Sequence, residues 1–521
     1  MNLRSKFLLT LVGATLTHAS TQAAGPVRNT FLAADKYAIT HFDPAQSDVI
    51  PYPVKRGVFR ADVASLPRLN IGPVNIMTFA STDKNHMWGV SSQGVTYIDV
   101  SNNGFRPVAT LAAPGIKAVS SETLTKALNT PLNKLSDVEN IVKNVLKGDM
   151  SLIIAGVYAV VDKDNRVYYN TFDKHIHVFG LKDKNDPSKG IEVIASKDLS
   201  TLLAPHEIMV GTSMTYDGKL IITSNQHLIA LDRSLKGDPI VFNTNPDESI
   251  TNSVSMDEKN AIYVASDKNM RKIVWKGTRF STDEKDGAWI AGYDFGREPN
   301  SVKIGFGTGS TPTLMGFGAD QDKLVVITDG ADHMKLVAFW RDAIPKNFKQ
   351  LAGTKSPRIA GQIAVTCGLD PMPEFVQSEQ SVVIKGYGAF VVNNIRKQGA
   401  KDRLIDVLAG GPVFEPPRGA ERFEWNPQTH AWRSVWTKAD LVSTSMVPAV
   451  SDPSNIVMVN GYTKKDGWEI TGMDWNTGET VHRTIFGQST YGNGAYAIIQ
   501  TLPNGDLLFN SIGGPTRVPS K

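Results

Sequence analysis

Short runs of apolar residues punctuate almost the whole chain. "SLIIAGVYAVV", "RVYYNTF", "HIHVFGL", "KLIITS", "HLIALD", "AIYVAS", "KLVVITD", "KLVAFW", "SVVIKGYGAFVVNN", "NIVMVNGY", "AYAIIQTL" and "DLLFNSI" are rich in Val, Ile, Tyr and Phe. Gly, Asp, Asn or Pro bounds each of them, which is strand chemistry with turn punctuation. Tight turns such as "YDGK", "KDN", "PNGD" and "ADQDK" join them, and few helical periods intervene to carry parallel crossovers. The pattern predicts an antiparallel all-β chain.

The pattern breaks in two places. In "LSDVENIVKNVLKGD", Leu135, Val138, Ile141, Val142, Val145 and Leu146 recur at helical spacing. Ser136 and Glu139 read as a capping box, and Gly148 as the stop. With a second short helix in 120–131, this makes 113–148 a helical insertion. A Pro/Gly-rich stretch at 396–421 reads as a loop insertion.

Five stretches share one plan: small polar residues, apolar strand, Asp or Asn turn, second strand, loop, third strand. They begin at Thr212, Asn252, Thr311, Thr444 and Asn493, with turn markers Asp217, Asp257, Asp320, Asp452 and Asn504. A period of roughly 40–60 residues with several strands per unit predicts a β-propeller. Earlier units at 72–112 and 151–197, and a degenerate one near 376–395, make seven or eight blades, and about 60 residues per blade favours eight. "KYAITHFD" (37–44), isolated at the N-terminal side, is expected to close the ring as the outer strand of the last blade.

Composition narrows the function classes. Arg4 and Lys6, the apolar "FLLTLVGATL" and the small residues around Thr21 and Ala23 make 1–24 a signal peptide. A mature domain of 25–521, periplasmic or secreted, is the expectation. Losing Arg4 and Lys6 lowers the formal charge from +4 to +2, which argues against nucleic-acid binding. No later segment has the roughly 20 apolar residues of a membrane helix. Cys367, the only cysteine, can form no intramolecular disulfide and reads as buried filler.

In a propeller the pairs Thr212-Ser213, Asn252-Ser253, Ser310-Thr311 and Thr444-Ser445 start the strands that line the channel. They would satisfy backbone groups there or ring a ligand. His206 and Glu207 precede such a strand, where either could manage a proton. His333 follows Asp329 and Asp332 and could pair with Ser310, although no strand–elbow–helix motif exposes that serine. The strand pair His175 and His177 shares one face, and an exposed strand face carrying two histidines is the preferred reading over a shared metal. Trp425, Trp432, Trp436, Trp468 and Trp475 read mainly as packing.

"YDGKLIITSNQHLIALD" and "NSVSMDEKNAIYVAS" resemble the exported bacterial propellers that include gluconolactonase-like hydrolases and quinoprotein-like domains. The resemblance implies a divalent cation, calcium or zinc, for which Glu207, Asn252 and Asp332 are the nearest analogues. Placement at a shared channel mouth, where a closed propeller brings a loop from every blade together, makes His206, Glu207 and His333 the candidates for catalytic work and Asn252, Ser310, Thr311 and Thr313 those for substrate contacts. The expected function is metal-assisted hydrolysis of an ester or lactone at the channel mouth. The D-x-x-T-G in "MDWNTGETV" keeps a PQQ-dependent oxidoreductase as an alternative, and a scaffold that binds a protein partner is a third.

Overall fold

The computed structural model describes residues 24–69, 79–81, 83–116, 119–145, 155–296, 303 and 305–520. The expected leader and the helix stop at Gly148 lie largely or wholly outside these residues. Among the described residues the strands form eight separate sheets. The third sheet shows the unit: Met209–Met214, Lys219–Ser224, His227–Asp232 and Ile240–Asn243 each pair antiparallel with the next. In chain order the first strands of the sheets are Phe79–Ser81, Val160–Val161, Met209–Met214, Ser255–Met256, Thr313–Met315, Val383–Lys385, Ala449–Ser451 and Gln500–Thr501.

Alternation explains why such strands are apolar on both faces. Leu220 and Ile222 pack with the first two sheets, whereas Ile221 between them packs with the fourth. Successive side chains point to opposite faces, and each face meets a different neighbouring sheet. This is the β-propeller expected from the repeat. Trp275, Trp340, Trp425 and Trp475 stand within one residue of the end of the third strand in sheets four to seven. The indoles of Trp275 and Trp425 reach back to turn carboxylates of the preceding sheet, Asp217 at 3.0 Å and Asp322 at 2.8 Å. Arg517 on the last strand of the eighth sheet donates to the Gly104 carbonyl beside the first sheet at 3.0 Å, so the ring closes.

The N-terminal segment behaves differently from expectation. Residues 37–44 do not form the outer strand of the last sheet. They belong to a stretch that runs through the centre and touches every sheet. Asn29 donates to Met214 O of sheet three at 2.9 Å, and Ile39 bridges Val160 of sheet two. Asp35–Lys36 pairs with the first strand of sheet one, and Tyr37 bonds Thr501 of sheet eight. The carbonyls of Pro44, Ala45 and Ser47 accept from Met256, Leu314 and Ile384 of sheets four, five and six at 2.7, 3.0 and 3.1 Å. Val49–Ile50 then pairs parallel with Val450 and Ser451 of sheet seven. The inner edge of each sheet leaves backbone groups that need partners, and this segment supplies them. The chain next adds Gly57–Arg60 to the outer edge of sheet seven. Arg68 bridges Thr516 on the outer strand of sheet eight, so the closing residue is near 68.

The helical insertion contains Ser121–Leu128 and Leu135–Asn140, followed by one wider turn, Ile141–Val145. Helix Leu135–Asn140 starts one residue before Ser136. The Asp137 carboxylate, not a Ser136–Glu139 pair, takes the Asn133 and Lys134 amides, at 3.0 and 3.1 Å. The 396–421 insertion is not all loop. It carries helix Arg403–Ala409, capped by Asp402 accepting from the Ile405 amide at 3.0 Å. Val138 and Ile141 of one insertion share a core with Ile405 and Leu408 of the other. No helix among the described residues is long and apolar enough to cross a membrane.

Candidate functional site

The N-terminal segment meets the inner strands at or near their C-terminal ends. Where those strands begin, polar side chains from several sheets converge. Tyr158, in the approach to sheet two, donates its hydroxyl to Asn252 Oδ1 in the approach to sheet four. Thr311, in the approach to sheet five, donates to the same oxygen at 2.8 Å, and Asn252 Nδ2 donates to Gly309 O at 2.8 Å. Burial pushes the Tyr158 phenol well above its ordinary range, so it stays a neutral donor.

Around this bridge lie two perturbed ionisable groups. Lys303 is buried and donates to Gln377 Oε1 at 2.6 Å; burial pulls its pKa down to about 7 against the pull of Asp329 and Glu379. Burial lifts Glu379 to about 8, opposed by Arg403 and Lys303, and its Oε1 has no partner among the described residues. Burial pushes the phenol of Tyr496, in the approach to sheet eight, well above its ordinary range, with Glu379 adding to the rise and Arg403 opposing it. Asn252, Glu379, Arg403 and Tyr496 keep partial exposure, whereas Tyr158, Thr311, Ser213 and Ser253 are buried. The last two hydroxyls have no partner among the described residues. Partial exposure beside unsatisfied buried groups describes a polar chamber rather than a dry core.

The N-terminal segment contributes to this chamber. His41 Nδ1 lies 2.8 Å from Asp48 Oδ1, both side chains fully buried, and the His41 ring centre is 5.7 Å from that of Tyr158. Burial raises the Asp48 carboxyl, against the opposing pull of His41. Sequence reasoning missed both residues because "KYAITHFD" alternates like a strand. The signal that could have found them is the polar run His41, Asp43, Gln46, Ser47, Asp48, which an outer strand does not need.

Of the residues expected at a site, Asn252 and Thr311 come together. Ser310 bonds Thr308 at 2.7 Å, and Thr313 donates to Val382 O of the next sheet at 3.0 Å. Thr212, the equivalent position in sheet three, donates to the Tyr158 carbonyl, and Thr444 to the Asn460 carbonyl. His206 is exposed, whereas Glu207 is buried and bonded to Ser224, to His227 at 2.5 Å and to the Ala204 amide at 3.1 Å. Burial would raise the Glu207 carboxyl, but the Ser224 and His227 bonds outweigh it and hold it low. The next sheet repeats this clamp with Glu248, Ser266 and Arg271. Asp332 and His333 are exposed, and His333 Nε2 lies 2.8 Å from Pro373 O. Glu207 and Asn252 thus occupy two different hydrogen-bond networks, and the exposed Asp332 side chain joins neither. Among the described residues no three His, Cys, Asp or Glu side chains are grouped as a metal centre requires.

The remaining motifs are structural. His175 and His177 stack at 5.8 Å, and His177 is buried against Ser196 at 2.7 Å. Asp474 of the D-x-x-T-G accepts the Asn476 and Thr477 amides at 3.0 and 3.3 Å, a hairpin turn. Trp425, Trp432, Trp468 and Trp475 are buried, and Trp436 donates to Trp475 O at 2.9 Å.

No family model matches the chain. An uncharacterized protein of Archaeoglobus fulgidus is 30% identical over 395 residues, spanning 73% of this chain and 74% of that one. Among solved structures, the Swd1 β-propeller domain of Myceliophthora thermophila is 8% identical, with a TM-score of 0.40, covering 87% of this chain and 97% of that one. Dihydro-heme d1 dehydrogenase NirN is 12% identical at a TM-score of 0.38, covering 95% and 82%. A candidate 6-phosphogluconolactonase of Bacteroides fragilis is 9% identical at 0.39, covering 80% and 95%. Scores this low carry no weight for function, and the fold assignment rests on the sheet order itself.

Proposed function

The chain belongs to the family of the Archaeoglobus fulgidus protein, and we propose that it is an exported, eight-bladed propeller that binds a small polar molecule in its axial chamber. We further read the chemistry there as hydrolysis of an ester or lactone. Eight sheets among the described residues and the leader-like residues 1–24 support the blade count and export.

The observation that carries the site is the bridge from Tyr158 to Asn252 and Thr311. Side chains from the approaches to three different sheets meet at one oxygen, beside partly exposed Glu379 and buried Lys303. A concave site with a few aimed polar groups is where small ligands bind. Neutral donors and acceptors dominate, which suits a carbonyl compound with hydroxyl or ether oxygens. Asn252 and Thr311 would orient it, and Lys303 would donate to a carbonyl oxygen as negative charge develops.

The test is turnover of p-nitrophenyl acetate and a panel of sugar-acid lactones by the purified exported protein. Hydrolysis that falls at least about tenfold in both Asn252→Ala and Tyr158→Phe supports the reading. Hydrolysis indifferent to both variants, or none of any panel member, sinks it. Elemental analysis of the same preparation shows whether a stoichiometric cation accompanies the activity.

A further inference from the structure

We propose that the ligand of the axial chamber carries a carboxylate beside its carbonyl group, and that Lys303 and Arg403 are the two cations that select it. The proposal rests on the reading of the chamber as a ligand site and names the charge of what binds there.

The setting of Lys303 carries it. The residue is 5% exposed, and its ammonium donates to Gln377 Oε1 at 2.6 Å. Gln377 is fixed in turn by its own amide, which donates to the carbonyls of Asp329 and Ala331 at 2.9 and 2.7 Å. The lysine stem runs beside Gly309, where a Cβ would come within 3.0 Å of Lys303 Cε. The Gly309 carbonyl accepts from Asn252 Nδ2 at 2.8 Å, so the stem stands against the bridge at the centre of the chamber.

Among the described residues Lys303 makes no ion pair. The two carboxyls that act on its charge are Asp329 and Glu379. Asp329 lies 2.7 Å from Lys335 Nζ instead, and Glu379 Oε1 meets no partner among the described residues. An ammonium buried with a neutral acceptor and no counter-ion is unfavourable, and an anion from outside relieves it. Gln377 takes one N–H of the ammonium, and the remaining ones suit a carbonyl oxygen and a neighbouring carboxylate oxygen.

Arg403 arrives from a different part of the chain. It opens helix Arg403–Ala409, and Asn493 in the approach to sheet eight donates to Val407 O of that helix at 3.5 Å, which sets the helix over the mouth. Arg403 keeps partial exposure there, and its charge acts on both Glu379 and Tyr496. Residues 396–403 hold Arg396, Lys397, Lys401 and Arg403 against a single acid, Asp402. A cleft edged by one sign of charge draws in ligands of the other. Lys303 and Arg403 against Glu379 leave one positive charge, which matches a carboxylate better than a dianionic phosphate.

Ionisation inside the chamber strengthens the preference as pH falls. Burial brings Lys303 down to about 7 and Glu379 up to about 8. Below about 7 the lysine is charged and the glutamic acid is a neutral donor, so both favour an anion. Above about 8 the lysine is neutral and Glu379 is itself an anion, so both oppose one. Asp329 with Lys335, Asp48 with His41, Asp406 with Arg396, and the phenols of Tyr158 and Tyr496 also face this region. A pH effect is therefore assigned to the pair only where a Lys303 variant moves it.

Calorimetric titration with succinamate, succinamide and 4-aminobutanamide decides the matter. The three share an amide carbonyl at one end, resist hydrolysis and differ in the charge at the other. At about pH 6 succinamate should bind at least about tenfold more tightly than the other two, and the advantage should shrink towards about pH 9. At about pH 7.5, buffers of different ionisation enthalpy should reveal proton uptake with succinamate and none with succinamide. Lys303→Met should erase both the gap between succinamate and succinamide and the proton uptake, and Arg403→Gln should narrow the gap. If Lys303→Met does not fold, Arg403→Gln and the wild-type proton uptake carry the test. Equal binding of the three probes, a preference for 4-aminobutanamide, or a gap that survives in the folded variants overturns the proposal. Inorganic phosphate that binds more tightly than succinamate overturns it too. Binding of succinamide with no gain for succinamate keeps the chamber as a ligand site and removes only its charge selection. If no probe binds, the proposal falls, and the ester and lactone panel decides whether the chamber reading falls with it.

Discussion

Tyr37 and Thr501 exchange two hydrogen bonds: the phenol donates to the Thr501 carbonyl at 2.8 Å, and the Thr501 amide donates back to the phenol at 3.1 Å. The pair joins the N-terminal segment to the inner strand of the last sheet, with the ring fully buried. Tyr37→Phe leaves a buried amide and carbonyl unpaired and should cost about 1–3 kcal/mol. Deleting 25–50 removes bonds to all eight sheets, and the remainder should unfold far below the undeleted protein in a thermal scan. A truncated form with an unchanged melting temperature contradicts this account.

Glu248 governs part of the acid sensitivity. Burial would raise its carboxyl, but bonds from Arg271 at 2.5 Å and from Ser266 outweigh that and bring it to about 2 from an ordinary 4.5. Because the folded value is depressed, its contribution is complete above about pH 4.5 and fades as pH falls towards 2. Glu248→Gln strands the buried Arg271 charge and should cost about 3–5 kcal/mol at neutral pH. Denaturant titrations at several pH values should also show a shallower acid limb for the variant.

Trp425 fills the space between sheets five and six and is anchored by its indole bond to Asp322. Trp425→Ala should destabilise by about 3–5 kcal/mol. Trp425→Phe should cost clearly less, because it retains most of the buried area and loses one hydrogen bond. Equal losses for the two would show that the bond, not the packing, matters there.

Cys367 is buried, and burial pushes its thiol well above the ordinary range. A thiol reagent should therefore leave the native protein unmodified at neutral pH and react once per chain after denaturation. Rapid native labelling is the result that conflicts with this burial.

The repeat was legible because each unit needs its own turn chemistry. Asp217 and Asp257 mark inner hairpins whose strands follow as expected. Asn252 and Thr311 were legible as inner-strand polar residues for the same reason. Glu207 resembled a proton handler in sequence, and only three dimensions reveal the clamp it makes with Ser224 and His227. Helix Arg403–Ala409 was hidden by the prolines and glycines around it, although Asp402 is a regular cap. His41 and Asp48 were hidden for a deeper reason. Period-two patterning identifies extended chain, but it does not distinguish a strand added at an outer edge from one threaded through the middle.

That threading has a consequence for the order of assembly. The bond from Tyr37 to Thr501 spans 464 residues. During synthesis Tyr37 therefore emerges long before its partner Thr501. At about 5–20 residues per second, on the order of a minute separates the two residues. Until then the polar run from His41 to Asp48 has no enclosed place, and the inner edges of the early sheets stay open to wrong pairings. Contacts this distant in sequence slow folding. The chain pays for a centrally held N-terminus with a long interval in which it depends on being kept from aggregation.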